Sequence, residues 1–165
     1  MEPSIVERPA QPYASITVRV SMQQLGEVVP PLTGEVFSWL AERGVAPAGP
    51  ALWKYNVIDM TGELEIETGV TTETDVDGDD RVAGGILPAG RYAVARFHGH
   101  PDGLERATGE LLEWGAQQGL VWDIKLVDGA ERWVARLEEY LDDPDEKPDM
   151  NDWDTDLAFK LADRA

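Results

Sequence analysis

Hydrophobic and polar positions alternate along several segments and recur every three or four residues in others. Residues 13–20, YASITVRV, are rich in β-branched side chains and predict a strand. The next apolar positions have helical spacing, and Gly44 follows them where a left-handed C-cap is favoured. They are Leu32, Val36, Phe37, Leu40 and Ala41. The first part of the chain therefore predicts a strand followed by a helix.

Before this helix, Ser21 and Gln24 have the spacing of a capping box. We expect a short helical turn there, which Pro30 and Pro31 interrupt. After the helix, residues 52–58 and 63–70 predict two strands joined by a turn at Thr61 and Gly62, and in the second strand Leu64 and Ile66 alternate with glutamates.

The second half of the chain repeats this order. Residues 91–97 predict a strand, and an apolar stripe of helical spacing then runs to Gly119. The stripe comprises Leu104, Ala107, Leu111, Trp114 and Gly115. Residues 131–141 and 155–161 predict two further strands, separated by an acidic loop at 142–152.

A repeated phrase supports an internal duplication. TGEVFSWLAERGV (33–45) and TGELLEWGAQQGL (108–120) are identical at six of thirteen positions. We predict a single α+β domain over residues 1–165, formed by a β-α-β-β unit at about 10–75 and a second at about 86–163. One antiparallel sheet would carry both helices, with a groove at the pseudo-twofold axis. Trp39 and Trp114 occupy equivalent helix positions, where each lines the groove or packs in the core.

Composition narrows the class of protein. The 165 residues contain no cysteine, 14 basic and 32 acidic residues, and a net charge of -18. This charge disfavours direct nucleic-acid binding and favours cationic molecules or basic protein surfaces, although it also suits a merely solubilising surface. Neither a signal peptide nor an apolar run of about 18 residues is visible, so we expect a cytoplasmic protein that does not enter membranes.

The sequence predicts neither a metal site nor a cofactor. Residues 75–80, DVDGDD, lack the glycine and glutamate that a calcium loop needs at fixed positions, so they predict a solvated turn. His98 and His100 have no carboxylate cluster at ligand spacing. Nucleophile elbows and phosphate-binding loops are also missing from the sequence.

The predicted strand at 131–141 carries the most informative residues. Alternation places Trp133, Ala135, Leu137, Glu139 and Leu141 on one face and Val134, Arg136, Glu138 and Tyr140 on the other. Burial of an isolated glutamate carboxylate on this strand would cost several kcal/mol. A cationic ligand beside the carboxylate would relieve that cost. A Glu138–Arg136 pair and plain solvent exposure are the alternatives.

Seven segments in order resemble the GyrI-like small-molecule-binding domain, also found as the effector-binding part of AraC- and MerR-type multidrug regulators. They are VERPAQPYASI (6–16), TGEVFSWLAERGV (33–45), LEIETGV (64–70), LPAGRYAV (87–94), HGHPDGL (98–104), RLEEYLDDP (136–144) and WDTDLAF (153–159). The resemblance implies a tandem β-α-β-β fold that binds bulky cationic or aromatic compounds over a strand glutamate.

The same resemblance assigns roles to particular residues. The family pattern E-x-Y-L-x-D-P matches this chain and points to Glu138 rather than Glu139, with Tyr140 beside it. Aromatic walls of the ligand site would come from Trp53, Tyr55, Phe97, Trp39 and Trp114. Because the first strand is predicted by about residue 13, there is no room for a preceding helix-turn-helix, which predicts a stand-alone binder.

Three functions follow as hypotheses. The first is a non-enzymatic binder of amphipathic cationic or aromatic small molecules, with Glu138 as counter-ion. The second is a hydrolase of reactive electrophilic drugs, with Glu138 as acid or base and Tyr140 as hydrogen-bond donor. The third is a protein that modulates DNA gyrase or partners a regulator, through an acidic surface that imitates DNA.

Overall fold

The protein forms one antiparallel sheet with two long helices in a computed structural model that describes residues 1–59 and 61–163. Within these residues the strands are β1 (Ser4–Arg8), β2 (Gln11–Ser21), β3 (Pro47–Asp59), β4 (Glu63–Thr72), β5 (Ala83–Leu87), β6 (Gly90–His98), β7 (Ile124–Val127), β8 (Ala130–Trp133), β9 (Arg136–Tyr140) and β10 (Asp154–Lys160). The helices are α1 (Leu25–Glu42) and α2 (Leu104–Gln117). Short 3-10 turns lie at Pro101–Gly103 and Met150–Asp152. These elements confirm an α+β fold.

The strand order is β1-β6-β10-β9-β3-β4-β2-β5, and every pair is antiparallel. β8 extends the sheet by pairing with the end of β3, and β7 pairs with β8. The strand order is similar on the two sides of the central β3–β9 pair. β4 and then β2 follow β3 on one side, and β10 and then β6 follow β9 on the other. This arrangement suits two β-α-β-β units, and the internal duplication itself stays a prediction.

Both helices cover outer strands on the same side of the sheet, which we call the helix face. Buried side chains of α1 pack on β2 and β4, and those of α2 pack on β6 and β10. Val36 and Leu40 of α1 and Leu111 of α2 are fully buried in these contacts. The central strands β3 and β9 therefore lie between the two helices. A separate apolar cluster around Leu52 and Leu137 lies on the opposite side of the sheet.

The helix ends confirm the predicted glycine caps. Gly44 and Gly119 both have φ 69°, in the left-handed region that glycine tolerates without strain. The amide of Val45 donates to the Leu40 carbonyl at 3.0 Å, and Leu120 donates to the Gly115 carbonyl at 2.9 Å. These are the hydrogen bonds that close a helix C-terminus before a left-handed glycine.

The start of α1 corrects the sequence prediction. Reciprocal hydrogen bonds join Ser21 and Gln24, as the capping-box spacing predicts. However, the helix then runs without interruption through Pro30 and Pro31. Both prolines are exposed, and burial of Val29 before them anchors the helix on the sheet. Tertiary packing here outweighs the cost of proline inside a helix.

The predicted strand at 131–141 is in fact two strands. β8 ends at Trp133 and β9 begins at Arg136, and the interruption rotates the chain. Trp133 was predicted on the face opposite Arg136, but its ring lies 5.0 Å from the Arg136 guanidinium. β1, β5 and β7 were not predicted. Neither α1 nor α2, in the described part of the chain, is long and apolar enough to cross a membrane.

Candidate functional site

The two central strands place an acidic residue among aromatic rings between the helices. On β3, Trp53 and Tyr55 point to the helix face, and on β9, Arg136, Glu138 and Tyr140 do so. The pairing register sets Trp53 directly opposite Glu138. Because side chains two residues apart on a strand share a face, this register brings all five together. Four of them, all except Arg136, were predicted ligand-binding residues.

Glu138 lies at the centre of this group. Its side chain accepts hydrogen bonds from the Tyr140 hydroxyl at 2.7 Å and from the Tyr55 hydroxyl at 3.0 Å. Both hydroxyls donate to Oε1, and Oε2 has no hydrogen-bond donor among residues 1–59 and 61–163. The residue is 8% exposed. One half of the carboxylate is therefore held by the protein, and the other half is available for a further donor.

Burial dominates the electrostatics of this carboxyl group. Desolvation raises the pKa of Glu138 above its ordinary value, and the two tyrosine hydroxyls and Arg136 only partly oppose the shift. Burial and the negative charge of Glu138 together raise the pKa of Tyr55 and of Tyr140 well above 10. Both phenols therefore stay neutral donors at physiological pH.

The aromatic side chains around Glu138 are packed on one another. The rings of Trp53 and Tyr140 are in edge contact, with centroids 5.3 Å apart and planes at 67°. The indole nitrogen of Trp53 donates to Thr33 Oγ1 of α1 at 3.4 Å, and that hydroxyl also bonds to Thr68 of β4. Thr33 opens the first copy of the repeated phrase, so α1 holds one wall of the site directly.

Arg136 occupies the position beside Glu138 without forming an ion pair with it. Its guanidinium lies 4.8 Å from the Phe159 ring centroid, 5.0 Å from that of Trp133 and 5.7 Å from that of Tyr55. Burial lowers the pKa of Arg136, although the nearby Glu138 opposes the change. The structure thus matches neither alternative from the sequence, a Glu138–Arg136 pair or solvent exposure of Glu138.

Three predicted wall residues have other neighbours. Trp39 is buried against the core of α1, and its indole nitrogen donates to Asp79 at 2.8 Å. Trp114 packs against the α2 core, and Phe97 packs against the same cluster. Trp39, Trp114 and Phe97 do not hydrogen-bond to Glu138, but Tyr140 packs against the same α2 cluster as Trp114 and Phe97, and the part of all three in a ligand site stays a prediction. The sequence did not predict that Trp133 and Phe159 lie on this side of the sheet beside Arg136. Trp133 faces this side only because the strand is interrupted after it.

The remaining candidates from the sequence have structural roles. His98 Nδ1 lies 2.8 Å from Asp154, and His100 Nδ1 caps the following 3-10 turn by accepting from the Asp102 amide. Asp79, in the acidic 75–80 segment, accepts from the amides of Arg81 and Val82, as expected of a turn. These hydrogen bonds give the two histidines and the acidic segment a part in the local structure.

A second buried carboxylate lies on the opposite side of the sheet. Glu67 accepts from the hydroxyls of Tyr13 at 2.6 Å and Ser15 at 2.7 Å, and from Lys54 at 3.1 Å. Asn56 donates to it at 2.8 Å. Desolvation raises the pKa of Glu67, but its partners outweigh that effect and hold the value below normal. Glu67 is therefore a satisfied anion, whereas Glu138 is not.

Glu138 lies between the helices, where a groove was predicted, and is 8% exposed. Two surface hollows, of about 400 and 520 Å³, lie elsewhere. Residues 19–21, 24 and 61–63 line the first, and Glu7, Gly90, Arg91 and Asp163 line the second. Glu138 borders neither.

A single sheet with two helices on one face carries a partly satisfied carboxylate among aromatic rings between the helices. The sequence profile of the GyrI-like small molecule binding domain matches residues 1–162. The chain belongs to this family. No curated protein matches the sequence.

Solved structures of low sequence identity share the fold. The C-terminal domain of EcmrR is 16% identical, with a TM-score of 0.74 over 99% of this chain and 98% of that domain. In an EcmrR–DNA complex the TM-score is 0.76 at 17% identity, and this chain spans 58% of the EcmrR chain. SAV2435 bound to tetraphenylphosphonium is 12% identical, with a TM-score of 0.63 and coverages of 98% and 94%. A hydrolase from Listeria innocua is 14% identical, with a TM-score of 0.62 and coverages of 98% and 92%.

Proposed function

We propose that the protein is a cytoplasmic receptor for amphipathic cations, which it binds between α1 and α2 with Glu138 as the counter-ion. The observation that carries this proposal is the unequal use of the Glu138 carboxylate. Two tyrosines donate to Oε1, while Oε2 has no donor among the described residues at 8% exposure. A carboxylate in that state is stabilised by a positive charge placed beside it.

The aromatic surroundings support a cation with an apolar body. Tyr55, Tyr140 and Trp53 lie around Glu138 and would contribute cation–π attraction of about 0.5 to 2 kcal/mol each, the larger value applying to desolvated contacts. Trp53 and Tyr140 are in edge contact but only partly buried, so part of each ring is open to a ligand. The net charge of -18 attracts cations from solution.

SAV2435 supplies a probe, because it shares the fold and was solved with tetraphenylphosphonium bound. Calorimetry and thermal unfolding should show saturable binding of tetraphenylphosphonium to the wild-type protein. Glu138→Gln, which preserves the shape of the side chain, should weaken this binding at least tenfold, or about 1.4 kcal/mol. Glu113→Gln, an exposed change on α2 with the same effect on net charge, is the control and should leave binding unchanged.

Two results would reject the proposal. One is the absence of binding for tetraphenylphosphonium and for other lipophilic cations. The other is equal binding by wild type, Glu138→Gln and Glu113→Gln, which would place the cation on the general acidic surface instead of at Glu138.

Hydrolysis of reactive electrophilic compounds is the second candidate function. The observation that favours it is the raised pKa of Glu138 beside the neutral Tyr140 hydroxyl at 2.7 Å, since a carboxyl group of this kind can donate a proton or activate water. Incubation with strained-ring electrophiles, followed by mass spectrometry, tests it. Turnover that is lost in Glu138→Gln and Tyr140→Phe supports hydrolysis, and intact compound after prolonged incubation excludes it.

A further inference from the structure

Arg136 is a partly buried cation that Glu138 and Glu131 stabilise only from a distance, without a hydrogen bond or ion pair. Among residues 1–59 and 61–163, its guanidinium takes part in no hydrogen bond or ion pair, and its contacts are the faces of Tyr55, Trp133 and Phe159. A guanidinium has five N–H donors in a rigid fork that matches a carboxylate. Aromatic faces attract the positive charge, but they satisfy few of those donors.

The position of Arg136 relative to Glu138 is fixed by the strand. The two residues are separated by one position on β9, so their side chains share the helix face at about 7 Å along the strand. Glu138 is held by the hydroxyls of Tyr55 and Tyr140, and Arg136 lies beside the rings of Tyr55, Trp133 and Phe159, so Tyr55 contacts both charged groups. The site therefore presents a negative and a positive group side by side, both with unused hydrogen-bonding capacity.

This pair of charges affects different ligands in opposite ways. A simple monocation gains from Glu138 but is repelled by the neighbouring guanidinium. A ligand with a carboxylate next to its cationic part satisfies both groups at once, and its carboxylate accepts two parallel hydrogen bonds from Arg136. Charge complementarity at close range favours one ligand class over another more than it raises affinity in general.

We propose that Arg136 is a specificity-determining residue, and that it makes the site selective for aromatic zwitterions, whose cationic group pairs with Glu138 and whose carboxylate pairs with Arg136. This inference rests on the proposed function, since it takes Glu138 as the cation-binding group. It adds that a lipophilic cation without a carboxylate binds more weakly than an aromatic zwitterion.

Rhodamine B and its ethyl ester form a matched pair of probes. They share the same cationic aromatic body, and only rhodamine B carries a free carboxylate. Fluorescence anisotropy and calorimetry at neutral pH should show that the wild-type protein binds rhodamine B at least tenfold more tightly than the ester. Arg136→Met keeps an unbranched side chain among the rings and should abolish this preference by weakening rhodamine B and strengthening the ester. Arg136→Lys should retain part of it.

Arg132→Met is the matched control, because Arg132 is exposed on the neighbouring β8 and its replacement changes the net charge equally. It should keep the wild-type preference. Thermal unfolding reports whether each variant is folded. If Arg136→Met does not fold, the wild-type ratio and the Arg136→Lys ratio decide the test.

Several outcomes overturn the role of Arg136 while leaving the proposed function intact. They are equal binding of the two dyes by wild type, tighter binding of the ester, or an unchanged preference in Arg136→Met. In each case, loss of tetraphenylphosphonium binding in Glu138→Gln would still support a cation receptor. Failure of both dyes to bind also overturns the zwitterion proposal, and tetraphenylphosphonium then tests the receptor separately.

Discussion

Tyr140→Phe tests whether Glu138 is an ionised carboxylate held by a tyrosine hydroxyl. The change removes one donor at 2.7 Å from Oε1 and keeps the ring that packs on Trp53 at 5.3 Å. A hydrogen bond to a charged acceptor contributes about 1.5 to 3 kcal/mol, and one to a neutral acceptor about 0.5 to 1.5 kcal/mol. The free energy of unfolding should therefore fall by about 1.5 to 3 kcal/mol where Glu138 is ionised.

The loss should depend on pH in a defined direction. Burial raises the pKa of Glu138 above its ordinary value, and loss of the Tyr140 donor raises it further. In acid, where Glu138 is protonated in both proteins, the loss is that of a neutral hydrogen bond, about 0.5 to 1.5 kcal/mol. The loss of unfolding free energy grows as pH rises through the pKa that Glu138 has in the folded protein. It becomes constant once the carboxyl group is ionised in both proteins.

Denaturant unfolding at several pH values between about 4 and 8 measures this difference. Tyr92→Phe is the matched control, because the Tyr92 hydroxyl donates at 2.7 Å to the neutral carbonyl of Pro88. Its cost, about 0.5 to 1.5 kcal/mol, should not change over this range. A cost for Tyr140→Phe that is constant with pH, or that runs parallel to that of Tyr92→Phe, would refute an ionised Glu138 held by Tyr140.

Other parts of the fold give further predictions. The Trp39 indole and two backbone amides lower the pKa of Asp79 to about 2; NMR titration should find this value, and Trp39→Phe should raise it. The side chain of Gly109→Ala in α2 would face open space, so this change should stabilise the protein by about 0.5 to 1 kcal/mol in denaturant unfolding. A methyl group at Gly69 would meet the β2 backbone, so Gly69→Ala should destabilise the protein by about 1 to 3 kcal/mol or more. Leu111→Ala, in the fully buried α2 core, should cost about 2 to 5 kcal/mol by the same method, and a cost below 1 kcal/mol would contradict its burial.

Local patterns predicted the elements whose buried face is continuous. The alternation in 63–70 and 155–161 corresponds to β4 and β10, because one face of each strand packs under a helix and the pattern records that burial. The repeated phrase located α1 and α2; Gly44 adopts the predicted left-handed conformation, and Gly119, predicted only to end the second helix, adopts it too. Each of these features depends on neighbours in sequence or on burial along one face.

Features set by distant contacts were not predictable in this way. A strict period of two gives no sign of the break after Trp133, which depends on pairing of β8 with β3 and β7. β1 is mostly exposed and so has no clear alternation, although it supplies the Arg8 guanidinium that pairs with Glu139 at 2.9 Å. The sequence placed Glu138 and Tyr140 on a common face, but the neighbours of Arg136 come from β3, β8 and β10.

The pairing of β3 with β9 has a consequence for how this site can change. Its acid is carried by one strand and the indole opposite that acid by the other, aligned through the Trp53–Glu138 match. A slip of either strand by a single residue would send one of these two side chains through to the far side of the sheet. The candidate site thus depends on both halves of the chain: single substitutions can alter its rings one at a time, whereas an insertion in either strand would separate the acid from the indole.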